Sequence, residues 1–305
     1  MPELPEVENL RLGLQRRILG QRVRSIAVRK PKLVSGRGNL RKASPKKTRE
    51  FIRGLTGSRI LDITRRAKNL VFHFSGGKRL VVHLKMSGQF VYRASPKRGV
   101  KAGKEIFDGG HPIRISETVL PNPHTRLIFG LDKGILYYND TRMFGYLLYY
   151  PSEAHLDKAG HFRNLGLEPL DAAFTPAYFR GSLRARKARL KSVLMDQAVV
   201  TGLGNIYADE VCFLAKVRPN RKASSLSDKE IGRLHRAILA ILPKAIAAGG
   251  SSVVSYRLAD GSRGNYAREH KVYGRAGEKC FRCGSVLKKK AINNRTTVFC
   301  ASCQR

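Results

Sequence analysis

The N-terminus of the chain carries the residues best suited to covalent chemistry, in the opening run Met-Pro-Glu-Leu-Pro-Glu. Pro2 is small, so we expect Met1 to be removed after translation, which would leave a secondary amine at the new terminus. An α-amino group titrates at about 8, and its unprotonated form can attack an electrophilic sugar carbon to give an iminium. Glu3 follows directly and could donate and accept the protons of such a reaction.

The same segment also has the features of an ordinary helix start. Proline and acidic residues are favoured in a first helical turn, because proline fixes φ and an acid complements the helix dipole. One apolar face follows at helical spacing, formed by Leu4, Val7, Leu10 or Leu14, and Ile18. Gly20 would then end the helix. Taken alone, the segment favours this structural interpretation, and the catalytic one depends on the rest of the chain.

Four of the five cysteines form two pairs near the C-terminus, in the pattern Cys280-x2-Cys283-x16-Cys300-x2-Cys303. Paired CxxC motifs at this separation suit a tetrahedral zinc site with four thiolate ligands. Two disulfides are the alternative, which a reducing cytosol disfavours. Cys212 lies alone in an apolar helical pattern and is expected to be a buried thiol.

A second candidate binding element is the segment 200–210, VTGLGNIYADE, in which two glycines precede a predicted helix. A glycine turn at a helix N-terminus presents backbone N–H groups that can bind phosphate, and Asn205 could add a side-chain donor. By itself, the pattern favours an ordinary turn.

The charge balance indicates a polyanionic partner. The 305 residues include 59 Lys and Arg against 22 Asp and Glu, a formal net charge of +37. Such an excess is typical of proteins that bind nucleic acid or an anionic membrane surface. No apolar run approaches the roughly 20 residues of a spanning helix, and no signal peptide is recognisable. We therefore expect nucleic acid as the partner and the cytosol as the location, although basic ribosome-associated proteins share this composition.

The elements that must position these groups begin with a strand-rich region. Residues 22–150 predict an antiparallel sandwich or barrel. The predicted strands are 22–28, 59–64, 69–74, 79–84, 126–131 and 135–139, with hairpin turns at 76–77 and 132–134. Two basic segments, 29–49 and 95–121, interrupt this pattern and are expected to be mobile loops.

From residue 151 onward the pattern is mainly helical. Thr175 before a proline predicts a helix start, and residues 183–197 predict one continuous basic helix. Ser227 and Glu230 form a capping-box pattern that predicts a helix to about residue 248. We place the domain boundary at residues 150–160, since a chain of this length suits two domains.

Four motifs occur in one order along the chain: PELPEVE, TGLGNIYADE, VYGRAGEKC and the four-cysteine hairpin. Together they resemble the formamidopyrimidine-DNA glycosylase (Fpg/MutM) family of the Fpg/Nei superfamily, over essentially the whole chain apart from segments 36–50 and 95–121. The resemblance implies an α+β fold with one structural Zn²⁺ as cofactor. It would comprise an N-terminal antiparallel β-sandwich with an N-terminal helix (1–150), a helical helix–two-turn–helix (H2TH) domain (151–270) and a C-terminal four-cysteine zinc finger (271–305).

The resemblance also assigns roles to residues at a damaged nucleotide. Pro2 would attack its C1′ atom, and Glu3 would manage protons on the sugar. Glu6 matches a supporting acidic position. Lys68 matches a lysine that reaches the lesion or its phosphates, although without the family it could equally be a basic strand residue. Residues 260–266 resemble a loop that closes over the extruded purine.

Further residues match DNA contacts of the family. A base inside a duplex must be extruded before it can react, and apolar or planar side chains fill the gap. Met86, Arg142 and Phe144 match this gap-filling set, with Arg142 facing the orphaned cytosine, although Met86 and Phe144 would otherwise be interpreted as core. The other matching positions are His124, Lys191, Asn205, Tyr266 and Arg295. Of these, the lysine and the asparagine would contact phosphates, and the arginine would grip phosphates from the finger tip.

These expectations describe a bifunctional DNA glycosylase/AP lyase of base-excision repair. It would remove oxidised purines, such as 8-oxoguanine and formamidopyrimidines, from double-stranded DNA through a proline Schiff base and β,δ-elimination. It would act as a monomer in the bacterial cytoplasm, associated with the nucleoid and not with a membrane. Two alternatives stay open: an endonuclease VIII-like glycosylase for oxidised pyrimidines, and a non-catalytic zinc-containing nucleic-acid-binding protein. Lys85, Thr141 and Met143 depart from the family pattern beside the gap-filling set, which leaves lesion preference open.

Overall fold

The computed structural model describes residues 1–38, 40–95, 106–110, 119–251 and 264–305, with the backbone alone for 106–110. These residues form two compact units. Unit 1 comprises Met1–Pro2, Glu6–Arg163 and Ser251–Gly264, and unit 2 comprises Glu3–Pro5, Asn164–Gly250 and Asn265–Arg305. Helix α1 (Leu4–Ile18) begins in unit 2 and continues in unit 1.

Unit 1 is an antiparallel β-sandwich. Its strands are β1 (Val23–Val28), β2 (Ile60–Arg66), β3 (Asn69–Phe74), β4 (Arg79–His83), β5 (Gly88–Ala94), β6 (Ile106–Gly110), β7 (Thr125–Leu131), β8 (Gly134–Asp140) and β9 (Tyr146–Tyr150). Its further helices are α2 (Lys32–Ser35), α3 (Pro45–Leu55) and α4 (Glu153–Lys158). The strands form a five-stranded sheet, β1-β7-β8-β5-β6, and a four-stranded sheet, β2-β3-β4-β9. Their pairings are antiparallel, so the predicted sandwich is confirmed.

One face of α1 is buried in the core of unit 1. Val7, Leu10, Leu14 and Ile18 recur at helical spacing, and each is at most 1% exposed. They share one hydrophobic core with side chains of both sheets. Burying one such side chain stabilises a fold by about 1.5–3 kcal/mol, so this face fixes the helix to the sandwich. Gly20 follows with a φ of 77°, a left-handed conformation that suits glycine and ends the helix.

Segment 29–49 is not the loop that its basic composition predicted. It contains α2 and the start of α3. Ser44 caps α3 through a hydrogen bond from a first-turn amide, and Phe51 and Leu55 bury the helix face against the sandwich. The charge count concealed this helix because its apolar residues lie beyond the basic run. Segment 95–121 lies largely outside the described residues, although β6 within it pairs with β5.

Unit 2 is mainly helical. Its helices are α5 (Pro176–Arg184), α6 (Leu190–Met195), α7 (Asn205–Leu214) and α8 (Asp228–Ala247). They share one hydrophobic core. Both predicted helix starts are confirmed, because Thr175 caps α5, and Ser227 with Glu230 forms the capping box of α8. In the part of the chain that the structure describes, no helix has the length and hydrophobicity to cross a bilayer.

The continuous basic helix predicted for residues 183–197 is wrong. The structure has two helices there, α5 and α6, with a non-helical stretch between them. The amide of Leu190 donates to the carbonyl of Arg221 (2.7 Å), and the amide of Lys191 donates to the carbonyl of Pro219 (3.0 Å). These tertiary hydrogen bonds replace those of a continuing helix, so helix propensity alone could not predict the break.

The C-terminal part of unit 2 contains a β-hairpin formed by β10 (Lys288–Ile292) and β11 (Arg295–Phe299). Its turn residues, Asn293 and Asn294, have φ values of 46° and 57°. A two-residue hairpin turn needs this left-handed conformation, which asparagine tolerates well. Arg295 directly follows the turn and is exposed, so the hairpin tip presents a cation.

Candidate functional site

The carboxylate of Glu3 is bound by the N-terminus of helix α7 in unit 2. Glu3 is 3% exposed, and its carboxylate accepts hydrogen bonds from the amides of Gly204 (2.6 Å), Ile206 (2.9 Å) and Tyr207 (3.4 Å). Amides at a helix start lack intrahelical partners, and the helix dipole favours an anion there. The anion at this turn is a side chain of the protein itself. These amides, which the sequence offered as a candidate phosphate site but more readily as an ordinary turn, therefore bind the Glu3 carboxylate.

The two glycines before α7 make this contact sterically possible. A Cβ atom at Gly204 would lie 2.4 Å from the carboxyl carbon of Glu3, and one at Gly202 would lie 2.5 Å from Cβ of Leu4. Gly202 also has a φ of +83°, where glycine is unstrained and other residues are not. The amide of Leu4 donates to the Gly202 carbonyl (2.9 Å). The turn therefore binds both the side chain of Glu3 and the backbone of the residue that follows it.

Unit 1 contains two other residues that the resemblance places at the lesion. Pro2 is buried, whereas Met1 before it is 44% exposed, and the removal of Met1 stays a prediction. Lys68 is 5% exposed and lies in the turn between β2 and β3. A lysine buried to this degree is not an ordinary solvated strand residue, because Lys is rarely buried without a partner.

Glu6 anchors the start of a segment that the resemblance makes functional. It is 2% exposed, and its carboxylate accepts a hydrogen bond from the amide of Ser251 (2.7 Å). Residues 252–263 follow and lie outside the described residues, so most of the predicted lesion loop at 260–266 does too. Glu6 thus holds the backbone at Ser251 within unit 1, and its supporting role at the lesion stays a prediction.

The three predicted gap-filling residues lie on two neighbouring loops of unit 1. Met86 lies between β4 and β5 and is 40% exposed, so it is not a core residue. Arg142 and Phe144 lie between β8 and β9, with the Arg142 guanidinium 4.7 Å from the centroid of the Phe144 ring. Ser87 links the two loops, because its hydroxyl oxygen accepts a hydrogen bond from the amide of Arg142 (3.0 Å). Their role in filling a gap in DNA stays a prediction.

His124 and Tyr266, two further predicted DNA contacts, differ in their surroundings. His124 is half-buried before β7, and its carbonyl accepts a hydrogen bond from the amide of Asp140 (3.0 Å). Tyr266 is 7% exposed, and its ring packs against Tyr207 and His270 in unit 2. This burial favours a packing role for Tyr266, whereas His124 remains accessible enough to contact DNA.

Lys191 does not lie where a phosphate contact requires it. It is 1% exposed, and its ammonium lies 2.8 Å from the Asp209 carboxylate and donates to the carbonyl of Thr296 (2.8 Å). The amide of Val298 also donates to Asp209 (3.1 Å). The predicted phosphate contact of Lys191 is therefore wrong. Its positive charge is neutralised inside unit 2, where the pair joins α6 and α7 to strand β11.

Asn205 and Arg295 remain candidates for phosphate contacts. Asn205 is the first residue of α7 and is half-buried, and its side-chain oxygen has no hydrogen-bond partner among the described residues. Arg295 is exposed at the hairpin tip, where a guanidinium can make two hydrogen bonds to one phosphate. Both assignments stay predictions.

The four C-terminal cysteines form a cluster that fits one zinc ion. Their sulfur atoms all lie within 4.8 Å of one another, with Cys280 and Cys303 at 4.0 Å and Cys283 and Cys300 at 3.5 Å. Four thiolates at a tetrahedral zinc with Zn–S bonds of about 2.3 Å would be separated by about 3.8 Å. A disulfide requires about 2.05 Å between sulfur atoms, so the disulfide alternative does not fit. Cys212 is buried, as predicted.

Glu210 is an organising residue that the sequence reasoning missed. It is 3% exposed, and its carboxylate accepts hydrogen bonds from the amides of Lys271 (2.9 Å), Val272 (2.9 Å) and Tyr273 (2.8 Å). Burial raises the pKa of Glu210, although the three amides act in the opposite direction. The available signal was the pair Asp209-Glu210 inside an apolar helix, since buried carboxylates require partners.

Comparisons with known proteins match the whole length of the chain. The family model of the formamidopyrimidine-DNA glycosylase N-terminal domain matches residues 1–147, and that of the corresponding H2TH domain matches 165–256. A model of the zinc finger found in FPG and IleRS matches 277–305. Formamidopyrimidine-DNA glycosylase of Desulfitobacterium hafniense is 37% identical over 304 residues, which cover 100% of both chains.

Solved structures agree with these matches. A mutant of Lactococcus lactis FPG in complex with Fapy-dG containing DNA has a TM-score of 0.82 and 34% identity, with 100% of each chain covered. Lactococcus lactis Fpg in complex with DNA containing an abasic site has a TM-score of 0.81 and 34% identity, with 99% of each chain covered. The chain therefore belongs to the formamidopyrimidine-DNA glycosylase family.

Proposed function

We propose that this protein is a DNA glycosylase with AP-lyase activity that removes oxidised purines from double-stranded DNA. Its substrates would be 8-oxoguanine and formamidopyrimidines in base-excision repair. The observation that carries the proposal is the buried carboxylate of Glu3, the residue directly after Pro2, which three amides at the N-terminus of α7 hold in place. The relatives that carry the same fold are bound to Fapy-dG DNA and abasic DNA, which are a substrate and an intermediate of this reaction.

The reaction would start at the amine that Pro2 gains when Met1 is removed. This nitrogen attacks C1′ of the damaged nucleotide, the bond from C1′ to the base breaks, and the base departs with a proton. The C1′–O4′ bond then breaks, and O4′ takes a proton, which leaves an open-chain iminium between Pro2 and C1′. This iminium acidifies the neighbouring sugar C–H bonds, so β-elimination breaks the 3′ phosphate bond and δ-elimination breaks the 5′ one. Glu3 would transfer protons on the sugar. The three amides fix its carboxylate in place, which is what a proton-transfer group needs.

Binding would combine phosphate contacts with filling of the gap that the extruded nucleotide leaves. Met86, Arg142 and Phe144 would enter this gap, with Arg142 facing the orphaned cytosine. Lys68 would reach the lesion or its phosphates, and Arg295 would grip phosphates from the hairpin tip. The net charge of +37 would supply non-specific affinity that falls steeply with salt.

A zinc ion held by the four C-terminal cysteines would be structural. Four thiolates complete the tetrahedral shell and leave no position for water or substrate. The ion would stabilise the hairpin that carries Arg295. Because the substrate is DNA, we place the protein in the bacterial cytoplasm at the nucleoid, and a monomer suffices, since both units belong to one chain.

Base release from defined duplexes tests the proposal. Duplexes with one 8-oxoguanine, one formamidopyrimidine or one thymine glycol are incubated with the protein, and released bases and DNA ends are identified by mass spectrometry. We expect release of both purine lesions and strand breaks with phosphate at each end. Preferential release of thymine glycol would instead favour the endonuclease VIII-like alternative. Tight binding without any release would favour a non-catalytic binding protein.

A further inference from the structure

The loop that carries Arg142 and Phe144 has a backbone that needs outside support. We name residues 141–145, between β8 and β9, the wedge loop. Met143 within it has a φ of 55°, a left-handed conformation that costs energy for a residue with a side chain. Gly145 has no room for a side chain, because a Cβ atom there would lie 2.0 Å from the Tyr138 hydroxyl.

Asp140 holds the amides of the wedge loop. It is 0% exposed, and its carboxylate accepts hydrogen bonds from the amides of Met143 (3.0 Å) and Gly145 (2.8 Å). It also accepts one from the hydroxyl of Ser87 (2.5 Å), which lies next to Met86. A single buried carboxylate therefore connects the two loops that carry the predicted gap-filling residues.

Arg41 holds the carbonyls of the same two residues. Its guanidinium donates to the carbonyls of Met143 (3.0 Å) and Gly145 (2.5 Å). Its other nitrogens donate to the carbonyls of Lys32 (2.8 Å) and Gly38 (2.7 Å), so the arginine is itself anchored. All of these groups belong to unit 1.

The residues on both sides of Phe144 are thus fixed at their amide and at their carbonyl. Met143 and Gly145 each donate an N–H to Asp140 and each accept a hydrogen bond from Arg41. Phe144 lies between them, so its aromatic ring is presented from a restrained backbone. Restraint before binding lowers the entropy that must be lost when a side chain enters DNA.

We propose that Arg41 is a positioning residue for base extrusion, because it holds the wedge loop in the conformation that presents Phe144 and Arg142. The proposal rests on the proposed function, and it deepens that function by giving a role to the basic segment 36–50. Arg41 acts here through hydrogen bonds to the backbone of its own chain. It does not act as one more cation for phosphate.

The test compares Arg41→Ala, Arg41→Lys and the control Lys42→Ala on two substrates. Lys42 is the adjacent exposed cation, so its loss changes the net charge equally. One substrate is an 8-oxoguanine·cytosine duplex under single turnover, and the other is a preformed abasic duplex, where no base has to leave the stack. We expect Arg41→Ala to slow base release by about 10- to 100-fold and abasic cleavage by less than about threefold. Arg41→Lys should not restore base release, since lysine lacks the planar fork of donors.

Two further measurements separate this role from general destabilisation. Arg41→Ala should cause no additional loss in a Phe144→Ala background, because residues that act through one another are not additive. Hydrogen exchange of the wedge loop without DNA should accelerate in Arg41→Ala and in Arg41→Lys, and stay unchanged in Lys42→Ala.

Several results would overturn the inference. Equal slowing on both substrates, full rescue by Arg41→Lys, or an effect equal to that of Lys42→Ala would each show that Arg41 does not position the loop. Unchanged exchange of the wedge loop would show the same. Failure of the wild-type protein to release any purine lesion would instead contradict the proposed function. The hydrogen-exchange experiment would still test whether Arg41 restrains the wedge loop.

Discussion

At the scale of single residues, the central feature is the buried carboxylate of Glu3, which accepts hydrogen bonds from backbone amides at the start of α7. Glu3 occupies the amides at the start of α7, which the sequence indicated as either an ordinary turn or a phosphate site. The residue types and the glycine spacing were visible in the sequence. The identity of the anion was not, because Glu3 and Gly204 lie 201 positions apart. A local pattern predicts a binding surface but not which group fills it.

We predict that Glu3→Gln abolishes base release and spares DNA binding. The amide cannot accept and deliver protons as the carboxylate does, and loss of a general acid or base typically slows a reaction by about 10²- to 10⁴-fold. Single-turnover assays on an 8-oxoguanine duplex measure the rate, and gel shifts on the same duplex measure the affinity. Loss of binding in the gel shift would show that Glu3 is chiefly a structural residue.

Lys191 is the clearest case in which the resemblance and the structure disagree. The lysine side chain is buried with Asp209, and removing one partner of a buried ion pair typically costs about 3–5 kcal/mol. We therefore expect Lys191→Met to lower the free energy of unfolding measured with urea, whereas the exposed Lys187→Met should not. If Lys191→Met left the stability unchanged and made the salt dependence of DNA binding shallower, the predicted phosphate contact of Lys191 would instead be supported.

At the scale of elements, the sequence predicted what depends on local patterns. The capping residues of α5 and α8, the apolar face of α1 and the hairpins of the sandwich were all predictable. The start of α3 was missed because charge dominated its composition. The break between α5 and α6 was missed because residues 219–221 supply the competing hydrogen bonds.

The zinc hairpin gives a prediction at this scale. We expect Cys300→Ser to lose zinc and to weaken DNA binding, because the hairpin that presents Arg295 packs on a small core that includes two of the cysteines. Metal content by mass spectrometry and DNA affinity by fluorescence anisotropy are the readouts. Cys212→Ala, which removes a buried thiol outside the cluster, should keep its zinc. Unchanged affinity without zinc would mean that the hairpin does not contribute to binding.

At the scale of the whole molecule, the net charge predicted a nucleic-acid partner, and the chain length predicted two domains. The described residues form two compact units, and solved relatives are bound to DNA, while a DNA partner of this chain stays a proposal. The composition could not predict how acid would act on the protein, because that depends on which histidines are buried. Burial lowers the pKa of His161 and of His270 to about 4.

This burial predicts that the protein loses stability in acid. In the unfolded chain these histidines bind protons below a pKa of about 6.5, whereas in the folded protein they do so only near 4. The unfolded state therefore takes up more protons between these values, and stability falls as the pH drops through this window. Melting temperatures from pH 7.5 to pH 4.5 test this. His161→Gln should lose less stability than the wild type over that range, and an equal loss would contradict the assignment.

The proposed reaction depends on a covalent bond between the amine of Pro2 and the damaged nucleotide. The most direct test is borohydride reduction of the protein on an 8-oxoguanine·cytosine duplex, followed by mass-spectrometric mapping of the trapped peptide. We predict one adduct, on the N-terminal peptide that begins with Pro2 after loss of Met1. An adduct on a lysine such as Lys68, or no adduct despite release of the base, would contradict it.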